Sequence, residues 1–219
     1  MIQDIKINFK LKSFFDCINY NGTQPPKYNI TASNFFAEYI DLDPIALDQF
    51  TNYKHTFIID QVQEQIELIS GAVNNNNTIL KFNSPCKELI FALVEKSNIN
   101  NNNYYAYSRS SDDLSFINDI TVLLNGMNFI DDFPESYFRL VMPYQHHARI
   151  PLKYVYSLPF AIYPEDTQPS GKIDLSKISE VILQLKLKND NPDLVLRIYA
   201  ITYNVAIVEN GIYSLQYNF

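Results

Sequence analysis

Few residues in this 219-residue chain are equipped for chemistry. His146 and His147 form its only histidine pair, and a zinc-type site needs histidine nitrogens or thiolates converging on one point. Adjacent side chains on an extended segment point to opposite sides, so this pair is poorly placed to ligate one ion. The third histidine, His55, has no motif partner, and Cys17 and Cys86 form neither a CxxC pair nor a Cys/His cluster. A Ser-His-Asp or Cys-His nucleophile is defined in space rather than in sequence, but no nucleophile elbow is present. Gly22, Gly71, Gly126, Gly171 and Gly211 stand apart from one another, which leaves no glycine-rich loop to cradle a phosphate. Asp112-Asp113 and Asp131-Asp132 lie in polar turns without calcium-loop spacing and read as solvated or helix-capping carboxylates. Asn21-Gly22-Thr23, Asn29-Ile30-Thr31 and Asn76-Asn77-Thr78 match the glycosylation acceptor pattern, but in an asparagine-rich chain without a secretory signal they read as coincidence. The expectation is a non-enzyme with no catalytic residue, no cofactor and no metal.

Composition narrows the class further. The net charge is −7, the sequence pI is about 4.9, and the lysines and arginines are scattered, which disfavours direct nucleic-acid binding because phosphate backbones are bound by concentrated positive charge. Sixteen Tyr and fifteen Phe, with no Trp and 19% charged residues, point to a wide sheet core and to protein-facing surfaces rich in aromatic area. A chain of this length buries roughly 70% of its extended surface and needs no disulfide or metal for stability, so two cysteines suggest a reducing compartment. Met1 to Lys6 alternates polarity rather than forming a signal peptide, and no run approaches the roughly 18 apolar residues of a membrane span. A soluble protein made without export is expected.

The elements that would position these residues are mostly strands. Ile5 to Lys12 places Ile5, Ile7, Phe9 and Leu11 on one face, the period-two pattern of a half-buried strand. Asn21 to Asn29, with Pro25-Pro26, is a break, and Phe35 to Leu42 is a second strand candidate. Asp43-Pro44 starts a small helix over Ile45 to Phe50. Phe57 to Ile69 is compatible with helix or strand, and its β-branched content and the Gly71 to Asn77 turn favour a long strand. Thr78 to Phe82 and Glu88 to Glu95 read as strands around the Asn83-Ser84-Pro85 corner. The asparagine patches Asn74 to Asn77 and Asn98 to Asn103 read as loop tips, where asparagine tolerates left-handed angles. Ile120 to Leu124 is a strand, and Asp132 to Val141 a short helix halted by Pro143. Tyr154 to Ile162, Glu180 to Lys188, Asp193 to Val208 and Ile212 to Tyr217 complete an all-β chain of about eight or more strands in two packed sheets.

Several segments resemble signatures of the major capsid proteins of nucleocytoplasmic large DNA viruses. Tyr154 to Gly171 (YVYSLPFAIYPEDTQPSG), continuing into Asp174-Leu175-Ser176, is similar to the family's QPSG block and contains Pro164, Gln168, Pro169, Ser170 and Gly171. Phe82 to Phe91 (FNSPCKELIF), with Asn83 and Pro85, resembles a second block. Leu123 to Gly126, with Asn125 and Gly126, and Tyr137 to His147, with Pro143, His146 and His147, resemble a third. Tyr199 to Val205 is similar to the last strand. Independently of the resemblance, Pro164 and Pro169 fix backbone angles and withhold donors, and Ser170-Gly171 turns the chain back toward Ile182, which makes a rigid corner.

The resemblance implies an antiparallel eight-stranded jelly-roll sandwich with short helices in its connections. Residues 1–219 would form one jelly roll, the counterpart of the second of two in tandem. It implies a shell protein that self-associates into trimeric or pseudo-hexameric capsomers, alone or with a separate first jelly roll and other capsid proteins. Such a protein would assemble in the host cytoplasm and reside in the virion, and these motif residues would be structural landmarks. Three other readings stay open at this stage. These are a minor capsid or penton component, a carbohydrate-binding jelly roll using Tyr104, Tyr105 and Tyr107, and a cupin-like enzyme whose histidines and a carboxylate converge inside a barrel.

Overall fold

The computed structural model describes residues 6–19, 29–38, 40–210 and 212–217. Ten strands follow in order: β1 (His55–Ile69), β2 (Asn75–Ile79), β3 (Pro85–Glu95), β4 (Ile117–Leu124), β5 (Met127–Pro134), β6 (Val155–Pro159), β7 (Ile173–Asp174), β8 (Val181–Leu187), β9 (Leu194–Glu209) and β10 (Ile212–Leu215). Three α-helices interrupt them, α1 (Pro44–Asn52), α2 (Lys96–Asn100) and α3 (Met142–His146), the last preceded by a π-helical turn at Tyr137–Val141. One sheet runs β1-β9-β3-β6, with β10 on β9 and β7 on β3, and the other runs β2-β8-β4-β5. Every strand pairing whose register is resolved is antiparallel.

Residues 59–204 form one compact unit, whose core lies between the two sheets. In β8 the alternation is clean: Val181, Leu183, Leu185 and Leu187 are buried and Lys186 is exposed. Register then aligns Leu183 with Val122 and Leu185 with Ile120 across the β8/β4 ladder, so cross-strand pairs on the inner face stack layer by layer. From the opposite sheet, Leu89, Phe91 and Leu93 of β3 and Leu194, Leu196 and Ile198 of β9 complete the core. Phe91 stacks on Tyr156 at 5.3 Å, and the Tyr156 hydroxyl meets Ser115 Oγ at 2.7 Å, so the ring is buried with its polar tip satisfied.

Strand β1 places glutamines on its inner face and a mixture of apolar and ion-paired acidic side chains on its outer one. Its inward-facing glutamines hydrogen-bond the neighbouring chain: Gln63 Nε2 donates to the Asn83 carbonyl (2.6 Å) and its Oε1 accepts from Asn83 N (3.2 Å). Gln65 repeats the arrangement, donating to the Ile79 carbonyl (2.8 Å) and accepting from Lys81 N (2.9 Å). Side-chain amides here replace a backbone ladder. The alternate positions Val62, Ile66 and Leu68 are 62%, 50% and 69% exposed.

Residues 1–58 and 205–218 form the second compact unit. Within it, α1 starts as the sequence requires, with Pro44 in the first turn and Asp43 Oδ1 accepting from Ala46 N at 2.7 Å. His55 stacks on Phe50 at 5.0 Å and places Nε2 3.2 Å from the Gln49 carbonyl. Strand β10 pairs with the end of β9.

The structure corrects several expectations. The described part of Ile5 to Lys12 is not a strand, and Phe9 and Leu11 are 73% and 72% exposed. The described residues of Phe35 to Leu42 are not a strand either. The Pro25-Pro26 break lies outside the described residues. Asn75 to Asn77, expected at a loop tip, belong to β2, because pairing with β8 overrides the poor strand propensity of asparagine. Within Asn98 to Asn103, the first residues lie in α2. Asp132 to Pro134 continue β5, and the helical segment begins at Glu135 and passes into the π-helical turn at Tyr137. Pro143 does not halt it: proline is tolerated in a first helical turn, and α3 runs on to His146. The acceptor-like Asn76 sits in β2 and donates its amide to Thr78 Oγ1 at 2.8 Å.

Candidate functional site

The chain after β6 folds back onto the start of β3. The Lys87 carbonyl accepts from Phe160 N (2.8 Å) and Ala161 N (3.0 Å), Leu175 N donates to the Ser84 carbonyl (3.2 Å), and β7 pairs Pro85 with Asp174 and Cys86 with Ile173. Ser170 closes the loop between these anchors: its Oγ accepts from Tyr163 N (2.8 Å) and donates to the Tyr163 carbonyl (3.1 Å). Gly171 follows with φ +150°, and a Cβ there would lie 2.9 Å from the Phe160 carbonyl oxygen. Only glycine fits so close to another backbone. Pro164 is buried in the loop, while Gln168 and Pro169 are exposed. Cys86, buried on β3, has its thiol pushed up to about 12 by burial.

Helix α3 delivers the two histidines to this corner. Pro143 is buried in its first turn, and the Pro143 carbonyl accepts from His147 N at 2.9 Å. The chain leaves the helix at His147 in extended geometry, so the rings diverge. His146 Nδ1 donates to the Ile162 carbonyl at 2.8 Å. His147 turns inward: Nε2 lies 2.5 Å from Glu88 Oε1 and 3.1 Å from Ser157 Oγ, and Nδ1 lies 3.2 Å from Glu165 Oε1. Ser157 Oγ also donates to Glu88 Oε1 at 2.6 Å, and Glu165 Oε2 accepts from Ala148 N at 3.0 Å.

Charge follows from this geometry. A carboxylate at each ring nitrogen favours the doubly protonated ring, and the Glu88 hydrogen bond, outweighing burial, raises the His147 pKa above its ordinary 6.5. The Ala148 N–H, followed by His147, holds the Glu165 carboxyl below its ordinary 4.5. Ser157, His147 and Glu165 are connected in the order of a nucleophilic triad, but the Ser157 hydroxyl aims its proton at Glu88 rather than at the imidazole. The Glu88 carboxylate also favours the protonated over the neutral imidazole, which weakens the ring as a general base. Among the described residues no group of three or more His, Cys, Asp or Glu side chains is arranged to hold a metal ion. Beside the latch lies a groove of about 210 Å³ lined by Ile90, Pro143, His147, Ile150 and Val155.

The site therefore joins three of the sequence landmarks: Pro85 on β3, Pro143, His146 and His147 at α3, and the loop from Pro164 to Gly171. Asn83 is held separately, by Gln63. Asn125 and Gly126 bond elsewhere, in the β4/β5 turn, where Asn125 Oδ1 accepts from Glu180 N at 3.1 Å. Sequence reasoning assigned no role to Glu88, Ser157 or Glu165. The one available signal was Glu88 itself, a carboxylate in the middle of an apolar strand that demands a buried partner.

Comparisons with known proteins identify the family of the chain. A family model described as large eukaryotic DNA virus major capsid protein matches residues 47–214. The chain is 28% identical to the major capsid protein of Pyramimonas orientalis virus, over 98% of this chain and 55% of that protein. It is 25% identical to the major capsid protein of Phaeocystis pouchetii virus, over 98% of this chain and 60% of that protein. It thus spans little more than half the length of these curated relatives. The structure of the PBCV-1 virus capsid superposes with a TM-score of 0.69 at 22% identity, over 81% of this chain and 55% of that one, a likeness of fold. The fold is the jelly roll of such capsid proteins. Because the family model covers well over half of its length, this chain belongs to the major capsid proteins of large eukaryotic DNA viruses.

Proposed function

We propose that the chain is a structural component of an icosahedral virion shell, packing through its outer sheet face against neighbouring jelly rolls in a trimeric or pseudo-hexameric capsomer. Residues 1–219 correspond in this reading to the second jelly roll of a tandem pair. Its neighbours are copies of itself, a first jelly roll and other capsid proteins, and assembly takes place in the host cytoplasm. The motif residues act as structural landmarks, and the chain has no enzymatic activity.

The observation that carries this reading is the set of large apolar side chains on the outer face of β1, which they share with the ion-paired Asp60 and Glu64. Val62, Ile66 and Leu68 stand outward on a strand at the end of its sheet, while glutamines occupy the inner face. Outward apolar side chains on an end strand are costly in water and invite uncontrolled pairing unless a partner covers them. A stable contact buries on the order of 1,200 Å² or more, which an extended strand face and its flanking loops can supply. Native mass measurement of the purified chain, alone and mixed with a first jelly roll, tests the reading. Discrete oligomers or a stoichiometric complex are expected, and a monomer under both conditions would contradict it.

A further inference from the structure

A second cavity, of about 440 Å³, opens away from the histidine latch, between the loop carrying Tyr105 and Tyr107, the π-helical turn and the segment entering β6. Its size falls within the roughly 300–1,000 Å³ of small-ligand clefts. Three features make it a built site. The Tyr105 ring is 69% exposed and meets Tyr107 edge-on at 6.4 Å, forming an aromatic corner open to solvent. Lys153 ties the corner together, with Nζ 2.8 Å from the Tyr105 carbonyl and 5.8 and 5.9 Å from the two rings. Arg139, presented by the π-helical turn, stacks its guanidinium 4.7 Å from the Tyr154 ring, and single π-helical turns occur frequently at functional sites.

The chemistry of the lining selects the ligand. Among the described residues, Asp113 is the one acid that lines the cavity, against the cations Arg139 and Lys153, in a chain of net charge −7. Arg139 also forms an ion pair with Glu135 through Nε at 3.5 Å, so Lys153 is the cation of the lining that makes no ion pair with a carboxylate among the described residues. Exposed tyrosine faces suit the flat apolar face of a pyranose ring, while planar and point cations suit a carboxylate.

We propose that this cavity binds an acidic saccharide unit, its ring against Tyr105 and its carboxylate toward Lys153 and Arg139. The site stands whether or not the chain builds a shell. Saturation-transfer NMR and titration calorimetry on the 219-residue chain would use methyl glucuronide and N-acetylneuraminic acid as probes, with methyl glucoside as the neutral comparison. At least one acidic sugar is expected to bind, more weakly as salt is raised, and about tenfold more weakly in Tyr105→Ala and in Lys153→Ala. Tyr144→Ala, an exposed ring outside the cavity, is expected to leave binding unchanged, and melting curves identify any variant that fails to fold. Absence of binding by both acids, equal binding of the neutral sugar, or full binding by a folded Tyr105→Ala protein would each overturn the proposal.

Discussion

The imidazole of His147 lies 2.5 Å from the carboxylate of Glu88, a residue 59 positions earlier in the chain, and so fastens the end of a helix to the centre of a sheet. Both side chains are nearly buried, at 13% and 5% exposure. Removing one partner of such a pair leaves the other charge desolvated, which costs more than the pair itself contributes. His147→Ala is therefore expected to destabilise the fold by roughly 3 kcal/mol in denaturant titration. Glu88→Gln in the His147→Ala background should recover part of that loss, because the orphaned charge is gone. A loss under about 0.5 kcal/mol, typical of surface substitutions, would show that the latch does not hold the corner.

The same residues set a pH dependence. His147 has its pKa raised above 6.5 in the fold, so its contribution is complete below 6.5 and is lost as pH rises through the raised value. Glu165 has its pKa lowered below 4.5, so its contribution is present above 4.5 and is lost as pH falls through the lowered value. These two groups together favour stability between 4.5 and 6.5. Melting temperatures measured across pH should decline on the alkaline side of this window, and His147→Gln should flatten that limb. An unchanged limb in the variant would assign the decline to other groups.

At Gly171 the constraint is steric. A Cβ would stand 2.9 Å from the Phe160 carbonyl oxygen and 3.2 Å from Ala161 Cα, at φ +150°. Both contacts are backbone and cannot swing aside. Gly171→Ala is expected to cost about 2 kcal/mol and to expose the Tyr163 to Ser170 loop to limited proteolysis. Equal stability and an equal digestion pattern would mean that the loop is free to move away from β6.

The outward face of β1 should separate association from folding. Val62→Asp with Leu68→Asp places charges on exposed positions, so the melting temperature is expected to hold, with a change within about 0.5 kcal/mol. Association measured by sedimentation should fall sharply, since buried unpaired charges at a contact are strongly unfavourable. Association at the unsubstituted level would remove this face from the interface.

How much of this was legible in the sequence depended on whether the information was local. The alternation of Val181 to Leu187 and the β-branched run into Ile69 yield strands, and Asp43-Pro44 yields a helix start, because each pattern matches its own element's period or cap. The same alternation in Ile7, Phe9 and Leu11 does not make a strand, since a strand needs a pairing partner that periodicity cannot supply. Asn75 to Asn77 show the converse, with β8 as the partner. Strand β5 had a local signal that was passed over. Asn125-Gly126 lies between two apolar runs, and both residues take positive φ, 51° and 77°, the signature of a two-residue hairpin turn. The corner itself was visible as Pro164, Ser170 and Gly171. Its latch was not, because Glu88, Ser157 and Glu165 meet His147 only through long-range folding.

The central claim is that the apolar side chains on the outer face of β1 are covered by neighbouring jelly rolls in a shell. Cryo-electron microscopy of particles containing this chain tests it most directly. The account predicts density for the chain in the shell, with Val62, Ile66 and Leu68 buried against an adjacent jelly roll. A shell in which these side chains face open solvent, or particles from which the chain is absent, would contradict it.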